Sequence, residues 1–152
     1  MSPPVECRTA HPDEFDAIAR VWRESAQTAE GAPPEIASVE DLRMRIDVEL
    51  ASGWTLFVAA ADRRIVGLLA LRTAGRVLDQ LYVLPSSRRE GIGTLLLERA
   101  MAEMPHGFTL RTASANAAAR RFYERRGLEL LSQGAHPRNG YPVCFYGWNL
   151  RP

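Results

Sequence analysis

Apolar residues recur at helical spacing twice in the first third of the chain. Phe15, Ile18, Ala19 and Trp22 form one stripe, with Asp13 as the expected N-cap and Ser25 near the end. Leu42, Ile46 and Leu50 form a second. It opens at Ser38 with Asp41 three residues on, as in a capping box, and Gly53 closes it. A short strand, residues 5–9, precedes both, and Gly31-Ala32-Pro33-Pro34 separates them. The pattern then changes. Residues 54–61 and 65–73 are apolar, partly β-branched runs around Asp62-Arg63-Arg64, which predicts a hairpin. Ala74-Gly75 turns the chain into a third run, residues 76–84, stopped by Pro85.

The helical period returns over residues 91–104, with Leu96, Leu97, Ala100, Met101 and Met104 on one face and Pro105-His106-Gly107 as the stop. A strand follows at 108–113. A helix over 116–126 ends with Gly127 at C′. Strands at 128–132 and 143–150 flank a Gly/Pro/Asn-rich loop at 133–142. The order β-α-α-β-β-β-α-β-α-β-β predicts an α/β fold with a mixed sheet of about seven strands. Nothing reads as a linker or repeat, so residues 1–152 are expected to form one domain.

Composition narrows the chemistry. The net charge of +1 gives no electrostatic case for nucleic acid or an anionic membrane. All 19 basic residues are Arg, a bias that GC-rich coding explains. It still excludes the P-loop lysine, the kinase strand lysine and every Schiff-base lysine. Cys7 and Cys144 lie far apart without a CxxC or Cys/His cluster. That predicts two buried thiols in a reducing cytoplasm, with no zinc site or disulfide framework. The N-terminal residues lack the basic and apolar regions of a signal peptide, and no apolar run is long enough to span a bilayer.

The strongest chemical signal is residues 81–94, Leu81-Tyr82-Val83-Leu84-Pro85-Ser86-Ser87-Arg88-Arg89-Glu90-Gly91-Ile92-Gly93-Thr94. A strand ends at a proline, and two glycines open an amphipathic helix. Glycines let backbone N–H groups point outward unobstructed, and a helix N-terminus carries about half a positive charge. That suits a phosphate or pyrophosphate, with Arg88 and Arg89 as mobile charge at the edge. The same glycines would equally serve close helix–sheet packing, and the third glycine of a dinucleotide fingerprint is missing. A second segment follows a later strand, Asn116-Ala117-Ala118-Ala119-Arg120-Arg121-Phe122-Tyr123-Glu124-Arg125-Arg126-Gly127-Leu128. Asn116, Ala119 and Tyr123 share one helical face. Taken alone, the two aromatics read as core.

Together the two segments resemble the GNAT superfamily of acyl-CoA-dependent N-acetyltransferases. The family pattern is arginine or glutamine, two residues, glycine, one residue, then glycine or alanine; here it is Arg88-Arg89-Glu90-Gly91-Ile92-Gly93. Residues 116–128 are similar to its later asparagine–aromatic–tyrosine–glycine motif. The resemblance implies a GNAT-like sheet flanked by four helices, with the fourth and fifth strands splayed apart. It implies acetyl-CoA as cosubstrate and no metal. The backbone of Leu81, Tyr82 and Val83 would pair with pantetheine, the N–H groups of residues 88–94 would hold the pyrophosphate, and Asn116 would bond near the pantetheine arm. Tyr123 would protonate the leaving thiolate. Asp79 stands where some members carry a basic glutamate; the other reading is a carboxylate paired with Arg72 or Arg111 across the sheet.

Trp22, Glu24, Glu30 and His136 are the implied acceptor-site neighbours. Arg72 and Arg111 could read a carboxylate on the acceptor. Arg120, Arg121, Arg125 and Arg126 are either ligands of the CoA 3′-phosphate or a solvated face. The implied function is acetyl transfer from acetyl-CoA to a primary amine of a small molecule or peptide, in a cytoplasmic protein that forms a homodimer. The second reading is an acyl-CoA-binding sensor or accessory module without turnover; the third is a nucleotide-binding protein using the same glycine loop.

Overall fold

The computed structural model describes residues 4–31 and 35–150. Its elements are β1 (Val5–Thr9), α1 (Phe15–Gln27), α2 (Val39–Ala51), β2 (Thr55–Ala61), β3 (Arg64–Arg72), β4 (Val77–Val83), α3 (Ile92–Glu103), β5 (Phe108–Ala113), α4 (Ala117–Arg125), β6 (Glu129–Ala135) and β7 (Pro142–Trp148). This is the order that the periodicity predicts. The strands form one sheet, β1-β2-β3-β4-β5-β7-β6, in which only β4 and β5 pair parallel. The crossover through α3 makes them so, because parallel neighbours need a connection that returns the chain to the same end. The expected break at Ala32-Pro33-Pro34 lies outside the described residues.

Helix α3 covers the sheet face where Gly67 carries no side chain; a Cβ there would stand 3.1 Å from Leu96. Arg72, on the opposite face by alternation, reaches Glu49 and Ser52 at the end of α2. The core therefore lies on both sides of the central strands. Ile18, Ile46, Leu68, Leu69, Leu71, Leu96 and Leu97 are all essentially solvent-free. Trp22 of α1 meets Trp54 at 5.7 Å between ring centroids.

Two local expectations need correcting. Asp13 is not the N-cap of α1. It lies inside a 3-10 turn, Pro12–Glu14, that leads into the helix, and the His11 N–H donates to Glu14 Oε1 at 2.9 Å. Pro12 presets the helical φ and starts the turn early. The last hairpin is also longer than its sequence suggests. Pairing continues through Gln133↔Cys144, Gly134↔Val143 and Ala135↔Pro142. Every residue of β6 is exposed, so this edge strand offers no apolar alternation to read. The remaining loop is tied by His136 N–H to Tyr141 O at 2.8 Å and by stacking of the two rings at 4.7 Å. Of the two thiols expected to be buried, Cys144 is, whereas Cys7 is half-buried; both are free.

Glu14 also receives a bidentate contact from Arg8, at 2.7 and 2.9 Å. The Arg8 guanidinium, aided by the His11 N–H, holds the Glu14 carboxyl at about 2, below its ordinary 4.5. A depressed carboxyl stabilises the fold above the unfolded-state value, and that contribution fades as pH falls from about 4.5 toward 2. Discounted for solvent screening, Glu14→Gln should cost about 1–2 kcal/mol at pH 7. Urea melts should show that deficit shrinking through this acid window.

Candidate active site

The sheet opens at β4. The β3–β4 register runs from Gly67↔Val83 to Ala70↔Gln80 and then jumps to Leu71↔Leu78, so Asp79 is an extra, bulged residue. On the other side, β4 meets β5 only at Val77↔Thr109, where the Thr109 N–H reaches Arg76 O at 3.0 Å. Beyond that point the two strands have no pairing. The Leu84 N–H bonds to Val66 O at 2.8 Å, which fixes the alternation. Tyr82 points its backbone at β3, whereas Leu81 and Val83 point theirs into the β4–β5 gap. Of the three residues expected to offer a free backbone edge, two do so, and Tyr82 contributes its side chain.

The loop after β4 has two left-handed residues, Arg89 (φ 70°) and Gly91 (φ 79°). Alternating hands turn successive N–H groups toward one concavity. Among the described residues, the N–H groups of Arg89, Glu90, Gly91, Ile92, Gly93 and Thr94 have no protein acceptor; the first helical bond is Leu95 N–H to Gly91 O at 3.0 Å. The two glycines serve different ends. A Cβ on Gly91 would meet nothing within 4 Å, so its φ is the constraint. A Cβ on Gly93 would lie 3.2 Å from the Phe122 ring, so there the constraint is contact with α4. Arg126 continues that contact. Its Nε and Nη2 donate to Thr94 Oγ1 at 2.9 and 2.6 Å, and its guanidinium covers Phe122 at 3.9 Å.

Arg88 is not the mobile charge its position suggests. It donates to Thr28 Oγ1 at 2.9 Å and Ser25 O at 3.4 Å, clamping the loop to the carbonyl end of α1. Arg89 is exposed and has no side-chain partner among the described residues. An open groove lined by Arg63, Arg64, Ser86, Glu90 and Gly91 borders the loop on its outer side. It is separate from the β4–β5 gap.

Asn116 is the N-cap of α4, with Oδ1 accepting the Ala119 N–H at 3.1 Å; its amide nitrogen stays free. Tyr123 is buried, and its ring packs on Phe122 and Tyr146 at 5.3 and 6.1 Å. Its hydroxyl bonds to nothing among the described residues. Burial raises its pKa above the ordinary tyrosine value, and the neighbouring Tyr82 hydroxyl adds to the shift. Burial also pushes Tyr82 up to about 12. The two hydroxyls are thus electrostatic neighbours, one from α4 and one from β4. Tyr146 fixes α4 from below, donating to Glu124 Oε2 at 2.6 Å and accepting from Arg120 Nε at 3.1 Å. Arg120 and Arg126 are therefore structural clamps, while Arg121 and Arg125 lie exposed or nearly so without partners among the described residues. Sequence reasoning missed the Tyr146 clamp; the only signal was an aromatic at an alternation position of β7.

Asp79 faces the α2 side. Its Oδ2 accepts from Trp54 Nε1 at 2.7 Å and lies 3.4 Å from Arg72 Nε, and Oδ1 is uncommitted. Arg111, the other suggested partner, does not reach it. Trp22 is core, with Arg45 stacked on it at 5.3 Å; Glu24 and Glu30 are exposed. Among the described residues no group of His, Cys, Asp and Glu could hold a metal, and no helix is long and apolar enough to cross a membrane.

A split parallel pair, a turn of free N–H groups at its end and a buried tyrosine beside the gap make up the candidate site, and the class of protein follows from the family it matches. The chain matches the family described as acetyltransferase (GNAT) domain over residues 22–142. It belongs to that family, whose members are acetyltransferases that draw the acetyl group from acetyl-CoA. The peptidyl-lysine N-acetyltransferase YiaC of Escherichia coli is 27% identical, over 93% of this chain and 94% of its own. Solved structures share the fold. An acetyltransferase of Thermus thermophilus superposes with a TM-score of 0.79 at 18% identity, covering 97% of this chain and 99% of its own. The yncA protein of Salmonella typhimurium, solved with acetyl-CoA, gives 0.74 at 16%, over 97% and 94%.

Proposed function

We propose that this protein transfers the acetyl group of acetyl-CoA to a primary amine by direct attack in a ternary complex. The observation that carries the reading is the buried Tyr123 ring beside the opened β4–β5 gap, with its hydroxyl unbonded among the described residues. Pantetheine lies in the gap, paired with the Leu81 and Val83 backbone, and the amide nitrogen of Asn116 donates to its arm. The pyrophosphate rests on the N–H groups of residues 89–94, where Arg88 shapes the loop and Arg89 adds exposed charge.

The amine nitrogen attacks the thioester carbon, the C–S bond breaks as the Tyr123 hydroxyl donates a hydrogen bond to the charge developing on sulfur, and the CoA thiolate takes its proton from solvent. The amine's own proton leaves through water to Asp79 Oδ1, the carboxylate oxygen not held by Trp54 or Arg72. Cys7 and Cys144 have no role, since no covalent enzyme intermediate forms. The name of YiaC adds a peptidyl lysine to the acceptors to test. The free thiols fit a cytoplasmic setting, and the exposed Leu130 and Leu131 on the β6 edge fit a homodimer.

The test is CoA release from acetyl-CoA across a panel of amines and lysine peptides, with the acetylated product identified by mass. Acetyl-CoA binding without transfer to any member would favour the sensor reading instead. Asp79→Asn keeps an oxygen for the Trp54 N–H but cannot take a proton. We expect kcat to fall about 10²-fold. An unchanged kcat would move the base role to water.

A further inference from the structure

Three arginines from separate elements all act on His136: Arg45 of α2, Arg111 of β5, and Arg138 in the loop between β6 and β7. None makes an ion pair or side-chain hydrogen bond among the described residues. Arg45 is the most constrained. Its guanidinium lies 5.3 Å over Trp22, and its Nε is buried with no partner. The carboxylates nearest to it are already engaged, Glu49 by Arg72 and Asp79 by Trp54 and Arg72.

His136 sits between these charges. Its Nδ1 accepts the backbone N–H of Arg138 at 3.1 Å and of Asn139 at 3.4 Å, so in the neutral ring the proton is on Nε2. Its ring lies flat on Tyr141. Burial, and then Arg111, Arg138 and Arg45, lower its pKa, and no carboxylate counters them. Tyr82 links this cluster to the candidate reaction centre: Arg45 and Tyr141 act on it, and it acts on Tyr123.

Like charges near one another repel even where, as for Arg111 and Arg138, they are exposed, and the partnerless buried Nε–H of Arg45 forfeits a hydrogen bond. An oxyanion ligand relieves both, and the planar guanidinium fork is shaped to bind one. We infer that the acceptor amine carries an oxyanion, a carboxylate or a phosphate, held by Arg45, Arg111 and Arg138 with the Nε2–H of His136. This rests on the acetyl-transfer reading above and names its substrate class. The amine then lies on the Tyr123 side of Tyr82 and the oxyanion on the other, within one small molecule. A peptidyl lysine in mid-chain offers no such group. Arg72, suggested by the sequence as part of this cluster, is excluded because Glu49 and Asp79 occupy it.

The test compares acceptors differing only in the anionic group: amino acids, their carboxamides, the matching aminoalkyl phosphonates, and a lysine peptide with blocked ends. With acetyl-CoA saturating, kcat/KM for the best oxyanion-bearing amine should exceed that of its neutral partner at least about 10²-fold. The carboxylate-to-phosphonate ratio identifies the anion. Arg111→Gln and Arg138→Gln should each narrow the charged-to-neutral ratio at least about tenfold, through KM. Equal rates for acid and amide, a preference for the lysine peptide, or an equal loss on both acceptors would overturn the inference. If no acceptor turns over, calorimetry of N-acetylamino acids against N-acetylcarboxamides with CoA present decides it, and equal affinity counts against it. Calorimetry with acetyl-CoA alone separates the two levels. No binding sinks the acetyl-transfer reading, whereas binding without anion selectivity sinks only this inference.

Discussion

Tyr123→Phe should lower kcat for acetyl transfer by about 10²- to 10⁴-fold while acetyl-CoA affinity stays within a few-fold of wild type. The ring supplies the packing, against Phe122 and Tyr146, and phenylalanine keeps it. Only the hydroxyl is lost, and it bonds to nothing among the described residues. Folding should therefore be spared, and circular dichroism melts check that. The direction of its pKa refines the role. Burial raises Tyr123 above the ordinary tyrosine value near 10. Full transfer of its proton to a thiolate of ordinary pKa, about 8.5, would then run uphill by at least about 2 kcal/mol. In the proposed mechanism the hydroxyl acts instead by donating to charge as it develops on sulfur, where a preorganised donor is strongest. The pH profile follows with its sign. The acid must stay protonated, and a raised pKa keeps it so. Wild-type kcat should show no basic limb below about pH 10. A basic limb near pH 8 that disappears in Tyr123→Phe would contradict this assignment of the proton.

The sequence made the element order legible because most elements bury one face, and burial writes a period into the chain. Where burial does not alternate, the reading faltered. All of β6 is exposed, and its pairing past Ser132 follows from the partner strand rather than its own pattern. Asp13 looked like a cap because Asp favours that position, but Pro12 moved the turn one residue earlier. The layout of the candidate site was legible in outline, since Gly91 and Gly93 open α3, Asn116 caps α4 and Tyr123 is buried on it. What the residues could not show is what each side chain does with its free end. Arg88 reads as phosphate charge, yet it is tied to Thr28, sixty positions away. Arg126 reads as a solvated charge, yet it links the two motifs through Thr94. Asp79 reads as a general base or a carboxylate paired with Arg72 or Arg111; a bulge visible only in its register against β3 accompanies its bond from Trp54, which the sequence does not suggest. That Arg45, Arg111 and Arg138 have no ion-pair partner among the described residues is likewise not written in their spacing.

Gly91 and Gly93 are one residue apart in one motif, and they should respond to substitution in different ways. Gly91 has φ 79° with open space around its Cα. Gly91→Val therefore places its Cβ in open space, but a β-branched residue in the left-handed region costs about 1–2 kcal/mol or more. The loop can escape that cost by turning to a right-handed conformation, which rotates the N–H groups of Gly91 and Ile92 away from the anion. Each hydrogen bond to a charged group is worth about 1.5–3 kcal/mol, so losing two should weaken acetyl-CoA binding by about 10²-fold or more. Thermal stability without ligand should change little, because the relaxed loop is unstrained. Gly93→Ala should do the reverse. Its Cβ would press on the Phe122 ring at 3.2 Å, prising α4 from α3 and straining the Arg126–Thr94 link. Overpacking of this kind costs about 1–3 kcal/mol of stability. Its effect on acetyl-CoA affinity should be smaller, since its own φ needs no glycine and the loop can keep its turn. Calorimetric titration and thermal melts of both variants separate the roles. If Gly91→Val bound acetyl-CoA like wild type, the left-handed turn would not be what forms the anion cradle. The free N–H groups of Ile92, Gly93 and Thr94 at the helix start would then have to hold the pyrophosphate alone.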